Sequence, residues 1–208
     1  MTMSTIFPEQ RLVLASNNAG KLSELQQMLT AHALKVQVLP QREFSIEDAV
    51  EDGLSFVENA LIKARHAARL SGLPALADDS GLCVPALSGA PGIHSARFGG
   101  EHGNDVLNNQ TLLTQLAELR GTQPIEGMFV CVLALVRHAD DPLPILAQGI
   151  WSGEILDAPR GEQGFGYDPL FWLPDLGKSS AELSKTEKSQ ISHRGQAMRV
   201  LLQQLAEL

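Results

Sequence analysis

The two halves of the chain carry their apolar residues in different patterns, and this difference constrains the fold most. In the first half, short apolar runs at 12–15 and 36–39 alternate with segments of helical periodicity. In the second half, a near-continuous apolar run at 128–137 is separated only by a turn from a second strand-like segment at 145–155, which predicts paired strands. The remaining predicted elements are a strand at 75–77 and helices at 21–30, 54–70, 105–119 and 195–208. Helix–strand alternation followed by paired strands predicts an α/β fold with a mixed, twisted sheet.

The longest predicted helix, at 54–70, has two distinct faces. Its apolar stripe has the spacing of one helix face and contains Val57, Leu61, Ala64 and Ala68. Another face carries Asn59, Lys63 and His66, since residues at i, i+4 and i+7 are neighbours on a helix. Gly72 follows where a helix typically ends. The apolar face is expected in the core, which leaves the polar face for other contacts.

Size and charge narrow the classes of function. The 208 residues are enough for one domain with a substantial core. With 24 acidic and 16 basic side chains, the net charge is −8. A nucleic-acid binder needs a basic face, so this charge argues against nucleic acid as a partner. A small anionic substrate is compatible with it, provided that local lysines and a bound cation offset the charge.

Cysteine content and apolar runs predict a location. The only cysteines are Cys83 and Cys131, too few for a disulfide framework, and they indicate a reducing compartment. Residues 1–10 lack the basic and apolar regions of an export signal. No apolar run approaches the roughly 20 residues that a membrane span requires. We therefore expect a cytoplasmic protein with no membrane partner.

A polar run at the first strand-to-helix junction suits a phosphate group. It consists of Ser16, Asn17, Asn18, Ala19, Gly20 and Lys21. Backbone N–H groups at a helix start and a lysine can face an anion together. The run is not a Walker A loop, because Ala15 stands where the first glycine belongs and Leu22 where the metal-binding hydroxyl belongs. It predicts an anion site other than the commonest NTPase loop.

Carboxylates cluster in two places that can bind a metal. Residues 78–81, Asp-Asp-Ser-Gly, follow the predicted strand at 75–77, and neighbouring strand side chains point to opposite faces. One aspartate can then be structural while the other meets a metal or water. Glu51 and Asp52 can add a ligand, and hard carboxylate oxygens suit Mg²⁺. Taken alone, these runs also fit an Asx turn and a solvated acidic loop, and Lys63 also fits a surface lysine.

Two further motifs can recognise a base. In residues 164–169, Gly-Phe-Gly-Tyr-Asp-Pro, two glycines flank a ring that can stack on a nucleobase, although a tight turn with a buried aromatic also fits. Lys188 and Ser192-His193-Arg194 precede the last helix, for which Ser192 is a natural N-cap. Imidazole and guanidinium N–H groups can donate to a purine carbonyl oxygen. The alternative is a capped helix with two surface cations.

Six segments in order resemble the non-canonical purine NTP pyrophosphatases, the inosine/xanthosine triphosphate pyrophosphatase family. They are residues 16–21, 56–60 with 63–64, 77–82, 89–93 with 95–97, 164–169, and 187–189 with 192–197. The resemblance implies one pyrophosphatase domain over 1–208, an elongated two-lobed fold with the substrate cleft between the lobes, and a homodimer. It also implies Mg²⁺-dependent hydrolysis of ITP, dITP and XTP to the monophosphate and pyrophosphate, which removes deaminated purines from the nucleotide pool.

The resemblance also implies roles for single residues. Asp79 would be the general base and, with Glu51, a Mg²⁺ ligand. The residues that would bind the triphosphate or contact the substrate beside it are Ser16, Asn17, Asn18, Ala19, Gly20, Lys21, Lys63 and Ser80. Phe165 would stack on the base, with Gly166, Tyr167 and Asp168 beside it. The base pocket would be lined by Lys188, His193 and Arg194.

Two other functions fit the same motifs. A pyrophosphatase for other modified nucleotides needs the same phosphate and metal residues, so only a substrate panel separates the two. A non-catalytic nucleotide-binding protein needs no poised water, and Asp79 beside a possible metal ligand argues against it.

Overall fold

The computed structural model describes residue 7 and residues 9–207. The strands are β1 (Arg11–Leu14), β2 (Gln37–Pro40), β3 (Ala75–Cys83), β4 (Ile125–Val136), β5 (Ile145–Ile155), β6 (Phe171–Leu173) and β7 (Lys178–Ser179). The helices are α1 (Ala19–Ala31), α2 (Phe56–Ser71), α3 (Asp105–Ala117), α4 (Lys185–Ile191) and α5 (His193–Ala206). Within the described residues, no helix combines the length and apolar character that crossing a membrane requires.

These strands form one mixed sheet in the order β2-β1-β3-β4-β5-β6-β7. Strand β1 is parallel to both β2 and β3, with Val13 opposite Leu39 and Ala75. Strand β6 is antiparallel to β5 and β7, and Trp172 lies opposite Glu154 on β5. Parallel neighbours need a crossover, here supplied by helices, whereas antiparallel neighbours need only short connections. The predicted α/β class with a mixed sheet is confirmed.

Strand β3 is longer than the sequence predicted. The expected strand ended at residue 77, but β3 continues through the Asp-Asp-Ser-Gly run to Cys83, so the Asx-turn interpretation is wrong. Gly81 is not a turn glycine; a Cβ there would lie 2.4 Å from Gly92 O and from Ser95 Oγ. The hydroxyl of Ser95 accepts a hydrogen bond from Leu82 N–H at 2.9 Å. The glycine therefore serves a close approach, which keeps the strand extended.

The structure also differs from the sequence prediction in a set of short elements near the end of the chain. Helix α4 and strands β6 and β7 were not predicted, because two to seven residues carry too little periodicity. A signal for α4 is present, since Ser184 and Glu187 form a capping box in which each side chain accepts from the other residue's N–H.

The chain divides into two compact units. The first unit contains the described residues up to Asp79, Val132–Gln148 and the described chain from Ala197. Its fully buried side chains include Leu12, Leu25, Leu29, Leu76, Leu135 and Leu201. The second unit contains Ser80–Cys131 and Gly149–Gln196. Its core includes Leu82, Leu112, Leu116, Phe129, Trp151, Leu170 and Phe171.

Candidate active site

Strand β3 directs its two neighbouring aspartates to different lysines. Both oxygens of Asp78 accept hydrogen bonds from Lys21 Nζ at 2.8 Å. Asp79 Oδ1 accepts one from Lys63 Nζ at 2.7 Å. The side chains of Asp78 and Asp79 are only 6% and 11% exposed. As expected for neighbours on a strand, the two side chains point to different groups of residues, Asp78 to Lys21 and Asp79 to a second group.

That second group contains Asp79, Lys63 and Glu51. Lys63 of α2 also donates to Glu51 Oε2 at 3.1 Å, so its ammonium joins the two carboxylates. Asp79 Oδ2 is buried and has no hydrogen-bond partner among the described residues. A buried acceptor without a partner costs about 1–3 kcal/mol. This cost is removed when a water or a cation binds at that oxygen.

The protonation of this group is shifted in a direction that suits acid–base chemistry. Burial raises the pKa of Asp79 to about 6 against the opposing effect of Lys63, and the Glu51 carboxylate raises it further. Burial alone would lower the pKa of Lys63, but Asp79 and then Glu51 outweigh it, and the pKa is raised. Lys63 therefore stays charged, while Asp79 can gain and lose a proton near neutral pH.

The same carboxylates fit a divalent cation. Among the described residues, no three His, Cys, Asp or Glu side chains converge on one metal position. Mg²⁺ in nucleotide enzymes, however, is usually held by one or two carboxylates together with waters and substrate phosphates. Glu51 and Asp79 share Lys63, and Asp79 Oδ2 is available for a ligand. This donor set suits an ion that arrives with a phosphate.

One face of α2 contacts the acidic loop, residues 47–53, which carries Glu51. Asn59 Oδ1 accepts from Gly53 N–H at 2.9 Å, and His66 Nε2 lies 3.1 Å from Glu47 O. With Lys63 bound to Glu51, all three members of the predicted polar face contact this loop. The tethering role of Asn59 and His66 was missed, although their spacing after an acidic segment was a usable signal.

Residues 16–21 lie at the junction of β1 and α1, as predicted: residues 15–18 connect the two elements, and Ala19, Gly20 and Lys21 begin the helix. Their polar side chains shape the connection. Asn18 caps α1 by accepting from Lys21 N–H at 3.1 Å, and Ser16 Oγ accepts from Asn18 N–H at 3.2 Å. Asn17 Oδ1 accepts from Arg42 N–H at 3.1 Å. Lys21 is the one charged residue of the run, and its ammonium is held by Asp78, a pairing that the sequence did not predict.

In the second unit, residues 164–168 form a loop that we call the aromatic loop. Phe165 is 65% exposed, whereas Tyr167 and Asp168 are buried. Asp168 accepts from Phe165 N–H and from the Ser180 hydroxyl, both at 2.9 Å, and pairs with Lys188 Nζ. That ammonium also lies 5.1 Å from the centre of the Phe165 ring. The buried-aromatic alternative therefore describes Tyr167 but not Phe165.

Helix α5 begins at His193 and not at residue 195, so His193 and Arg194 are its first two residues, and both are less exposed than surface cations. Ser192 Oγ accepts from Gly195 N–H at 3.3 Å, which confirms it as the N-cap of α5. The His193 ring is buried and stacks on Phe129, with centroids 4.8 Å apart and planes at 13°. Arg194 and Ser80 are both half-buried. The surface-cation alternative is therefore wrong for His193, which belongs to an aromatic cluster.

Known proteins resemble this chain over nearly its whole length. The Ham1 family model matches residues 12–204. The dITP/XTP pyrophosphatase of Acinetobacter baumannii (strain ACICU) is 63% identical over 200 residues, 96% of each chain. The protein of the same name from Pseudomonas syringae pv. tomato is 59% identical over 195 residues, 94% of this chain and 96% of that one.

Solved structures agree with these relatives. A HAM1 protein from Coxiella burnetii is 47% identical and has a TM-score of 0.90, covering 95% of this chain and 99% of that one. The Staphylococcus aureus Ham1 protein is 40% identical with a TM-score of 0.86, covering 95% and 98%. Because the family model and these relatives span both compact units, the chain belongs to the Ham1 family.

Proposed function

We propose that this chain is a dITP/XTP pyrophosphatase, which hydrolyses dITP, ITP and XTP to the monophosphate and pyrophosphate and so removes deaminated purines from the nucleotide pool. The observation that carries the proposal is Asp79, a buried carboxylate with one oxygen bound to Lys63 and the other without a partner among the described residues. A general base needs such an oxygen. The names of the relatives support the substrate class.

Asp79 is proposed to activate the attacking water. With a pKa raised to about 6, its carboxylate is mostly ionised at neutral pH and still basic enough to accept a proton. Asp79 Oδ2 takes that proton as the water oxygen forms its bond to the α-phosphorus, and the bond from this phosphorus to the bridging oxygen breaks. Lys63 holds Oδ1 and so keeps Oδ2 directed at the water.

Two lysines are proposed to bind the phosphates. Lys21 lies at the start of α1, where backbone N–H groups favour an anion. Lys63 adds a second charge near Asp79. Negative charge grows on the departing pyrophosphate, and fixed positive groups stabilise that charge without rearranging. Ser16, Asn17 and Asn18 set the shape of the loop that presents Lys21.

Pyrophosphatases of this family generally use a divalent metal, and we propose Mg²⁺. Glu51 and Asp79 would hold it together with the phosphates, since their oxygens are the ligands that Mg²⁺ prefers. When bound, the ion offsets the phosphate charge.

The aromatic loop is proposed to bind the purine. The exposed Phe165 ring can stack on a base, with Gly166, Tyr167 and Asp168 beside it. Lys188, His193 and Arg194 would donate to the base. A donor aimed at the 6-oxo group of hypoxanthine or xanthine is left unpaired by the 6-amino group of adenine, and such mispairing discriminates strongly.

Two further features belong to this proposal. The low cysteine content, with Cys83 and Cys131 alone in 208 residues, supports a reducing, cytoplasmic location, which fractionation of cells tests. The resemblance to the pyrophosphatases supports a homodimer, which analytical ultracentrifugation tests. Both compact units are proposed to form one pyrophosphatase domain.

A substrate panel tests the proposal. The wild-type chain is assayed with dITP, ITP, XTP, GTP, ATP and dTTP in the presence of Mg²⁺, and the products are separated by ion-exchange chromatography. We expect monophosphate and pyrophosphate from the first three, with ¹⁸O from labelled water in the monophosphate. Equal turnover of ATP and dTTP would contradict the substrate class. Nucleotide binding without any product would instead favour a non-catalytic binding protein.

A further inference from the structure

We infer that Asp105 and Asn109 of α3 are positioning residues, which hold the aromatic loop and so present Phe165 to the substrate base. The inference deepens the proposed function and rests on it. Neither residue lies in the segments that carry the family resemblance. Both lie in the second unit, as does the loop that they contact.

The aromatic loop has a backbone that needs external support. Gly164 and Gly166, on either side of Phe165, have φ angles of 81° and 61°, in the left-handed region. A Cβ on Gly164 would lie 2.1 Å from Asp168 Oδ2, so the backbone passes directly against that carboxylate. Glycine also leaves more conformations open to the unbound loop than any other residue. Contacts from outside the loop must therefore select one of them.

Helix α3 supplies two of these contacts at one peptide segment. Gly166 N–H donates to Asp105 Oδ2 at 2.6 Å, and Asn109 Nδ2 donates to Gly166 O at 2.9 Å. Asp105 and Asn109 are four residues apart and so share one face of the helix. Both backbone polar groups of the residue that follows Phe165 are thus bound by a single rigid element.

Two other contacts fix the remainder of the loop. Phe165 N–H donates to Asp168 Oδ2 at 2.9 Å, and Tyr167 OH donates to Ser95 O at 2.9 Å. The ring of Phe165 is left 65% exposed, with the Lys188 ammonium 5.1 Å from its centre. The peptides on both sides of Phe165 are fixed before any ligand arrives. Ordering a binding residue in advance lowers the entropy cost of binding.

The two side chains are not needed to hold α3 in the core. That role belongs to Leu112 and Leu116, which are fully buried in the second unit. Removing the Asn109 amide therefore releases the Gly166 carbonyl without removing the packing of the helix. Gln110, its exposed neighbour on α3, provides a matched control, since its side chain has the same amide and faces solvent.

The test compares N109A with Q110A in steady-state kinetics with ITP. For N109A we expect KM to rise about 3- to 10-fold, the effect of one lost hydrogen bond, with kcat within about twofold of wild type. Inhibition by inorganic tripolyphosphate, which has no base, is expected to be unchanged. D105A should act in the same direction, and D105N should restore part of the loss because its amide oxygen still accepts. Q110A should match wild type.

A double-mutant cycle with F165A decides whether Asn109 acts through the ring. We expect N109A to change KM by less than about twofold once Phe165 is absent. The inference would be overturned, with the proposed function intact, if N109A raised KM equally in the presence and in the absence of Phe165. The same conclusion would follow if N109A weakened inhibition by tripolyphosphate as much as it raised KM for ITP. If the wild type turns over ITP but N109A and Q110A have the same KM for ITP, the inference is overturned as well. Absence of ITP turnover in the wild type would refute the proposed function, and the inference with it.

Discussion

Asp79 and Asp141 are both buried aspartates of the first unit, yet their surroundings are opposite. Asp141 is 1% exposed, and its Oδ2 accepts from Arg137 N–H at 2.9 Å and from Arg137 Nε at 2.7 Å. Its Oδ1 accepts from Leu143 N–H at 3.0 Å and also pairs with the Arg137 guanidinium. Hydrogen bonds from Arg137 hold the pKa of Asp141 well below its ordinary range, against the effect of burial. Asp79 receives one hydrogen bond from Lys63, and its pKa is raised.

The number of donors at each oxygen separates the two aspartates. Burial disfavours the charged form of both, and hydrogen bonding to the carboxylate favours it. Both oxygens of Asp141 have donors, so it stabilises the turn after β4 and has little capacity left for a ligand. Asp79 keeps a buried oxygen that no described residue satisfies. The unsatisfied oxygen of Asp79 lowers the stability of the folded chain, but it leaves an acceptor to which a water or a cation can bind.

The largest effect is expected from D79N. The amide cannot accept the proton of water, so kcat should fall by about 10³-fold, the scale of a lost general base. The fold should be retained, because the neutral amide avoids burying a charge at this position. Pyrophosphate release from ITP and thermal unfolding measure the two effects. Near-wild-type turnover would remove Asp79 from the role of base.

D141A should show the reverse of D79N: a loss of stability with little change in turnover. It leaves Arg137 without its carboxylate, which is expected to lower the free energy of unfolding by about 3 kcal/mol. Urea unfolding at pH 7 measures this loss. The Michaelis parameters for ITP should stay near wild type, since Asp141 touches none of the residues proposed to bind substrate. If D141A lost turnover but not stability, Asp141 would have a functional role and not a structural one.

The stability supplied by Asp141 should depend on pH. Its folded pKa is lowered, so its contribution is fully present above its unfolded pKa of about 3.9 and is lost as the pH falls below that value. Between pH 7 and pH 3, wild type should therefore lose more stability than D141N. Urea titrations of both proteins at both pH values measure the difference. If wild type and D141N lost the same free energy of unfolding between the two pH values, groups other than Asp141 would dominate acid unfolding.

A smaller effect is expected on the pH dependence of turnover. The raised pKa of about 6 means that Asp79 is protonated, and inactive as a base, at lower pH. From pH 7 to pH 5, kcat/KM for ITP should fall about tenfold, with the active ionised form dominant above pH 6. D141N should give the same profile in the range where it stays folded. A flat profile down to pH 5 would contradict the assignment.

The smallest effect is expected from loosening the acidic loop. H66A removes the contact with Glu47 O and so weakens the hold on Glu51. The Mg²⁺ concentration for half-maximal turnover should rise about threefold, as for one weak hydrogen bond. Arg69, exposed on the same helix, provides R69A as the control. Unchanged Mg²⁺ dependence would show that the loop is held without His66.

The sequence predicts what periodicity and local chemistry determine. Apolar residues were enough to predict the strands β1, β4 and β5. Gly72 correctly predicted the end of α2, where it has a φ of 71°. The extension of β3 was beyond reach, because Gly81 is explained only by the approach of Ser95 from a distant segment. For the same reason the pairing of Lys21 with Asp78 was not predicted, since 57 residues separate them.

That pairing has a consequence for selectivity among anions. The ammonium of Lys21 is paired with both oxygens of Asp78, so a phosphate group of the proposed substrate would have to compete with an internal carboxylate. Inorganic phosphate or a nucleoside monophosphate brings few charges to this exchange, whereas a triphosphate brings several and reaches other donors as well. We therefore expect the pair to disfavour inorganic phosphate and nucleoside monophosphates relative to a triphosphate. It would also favour release of the monophosphate once pyrophosphate has left.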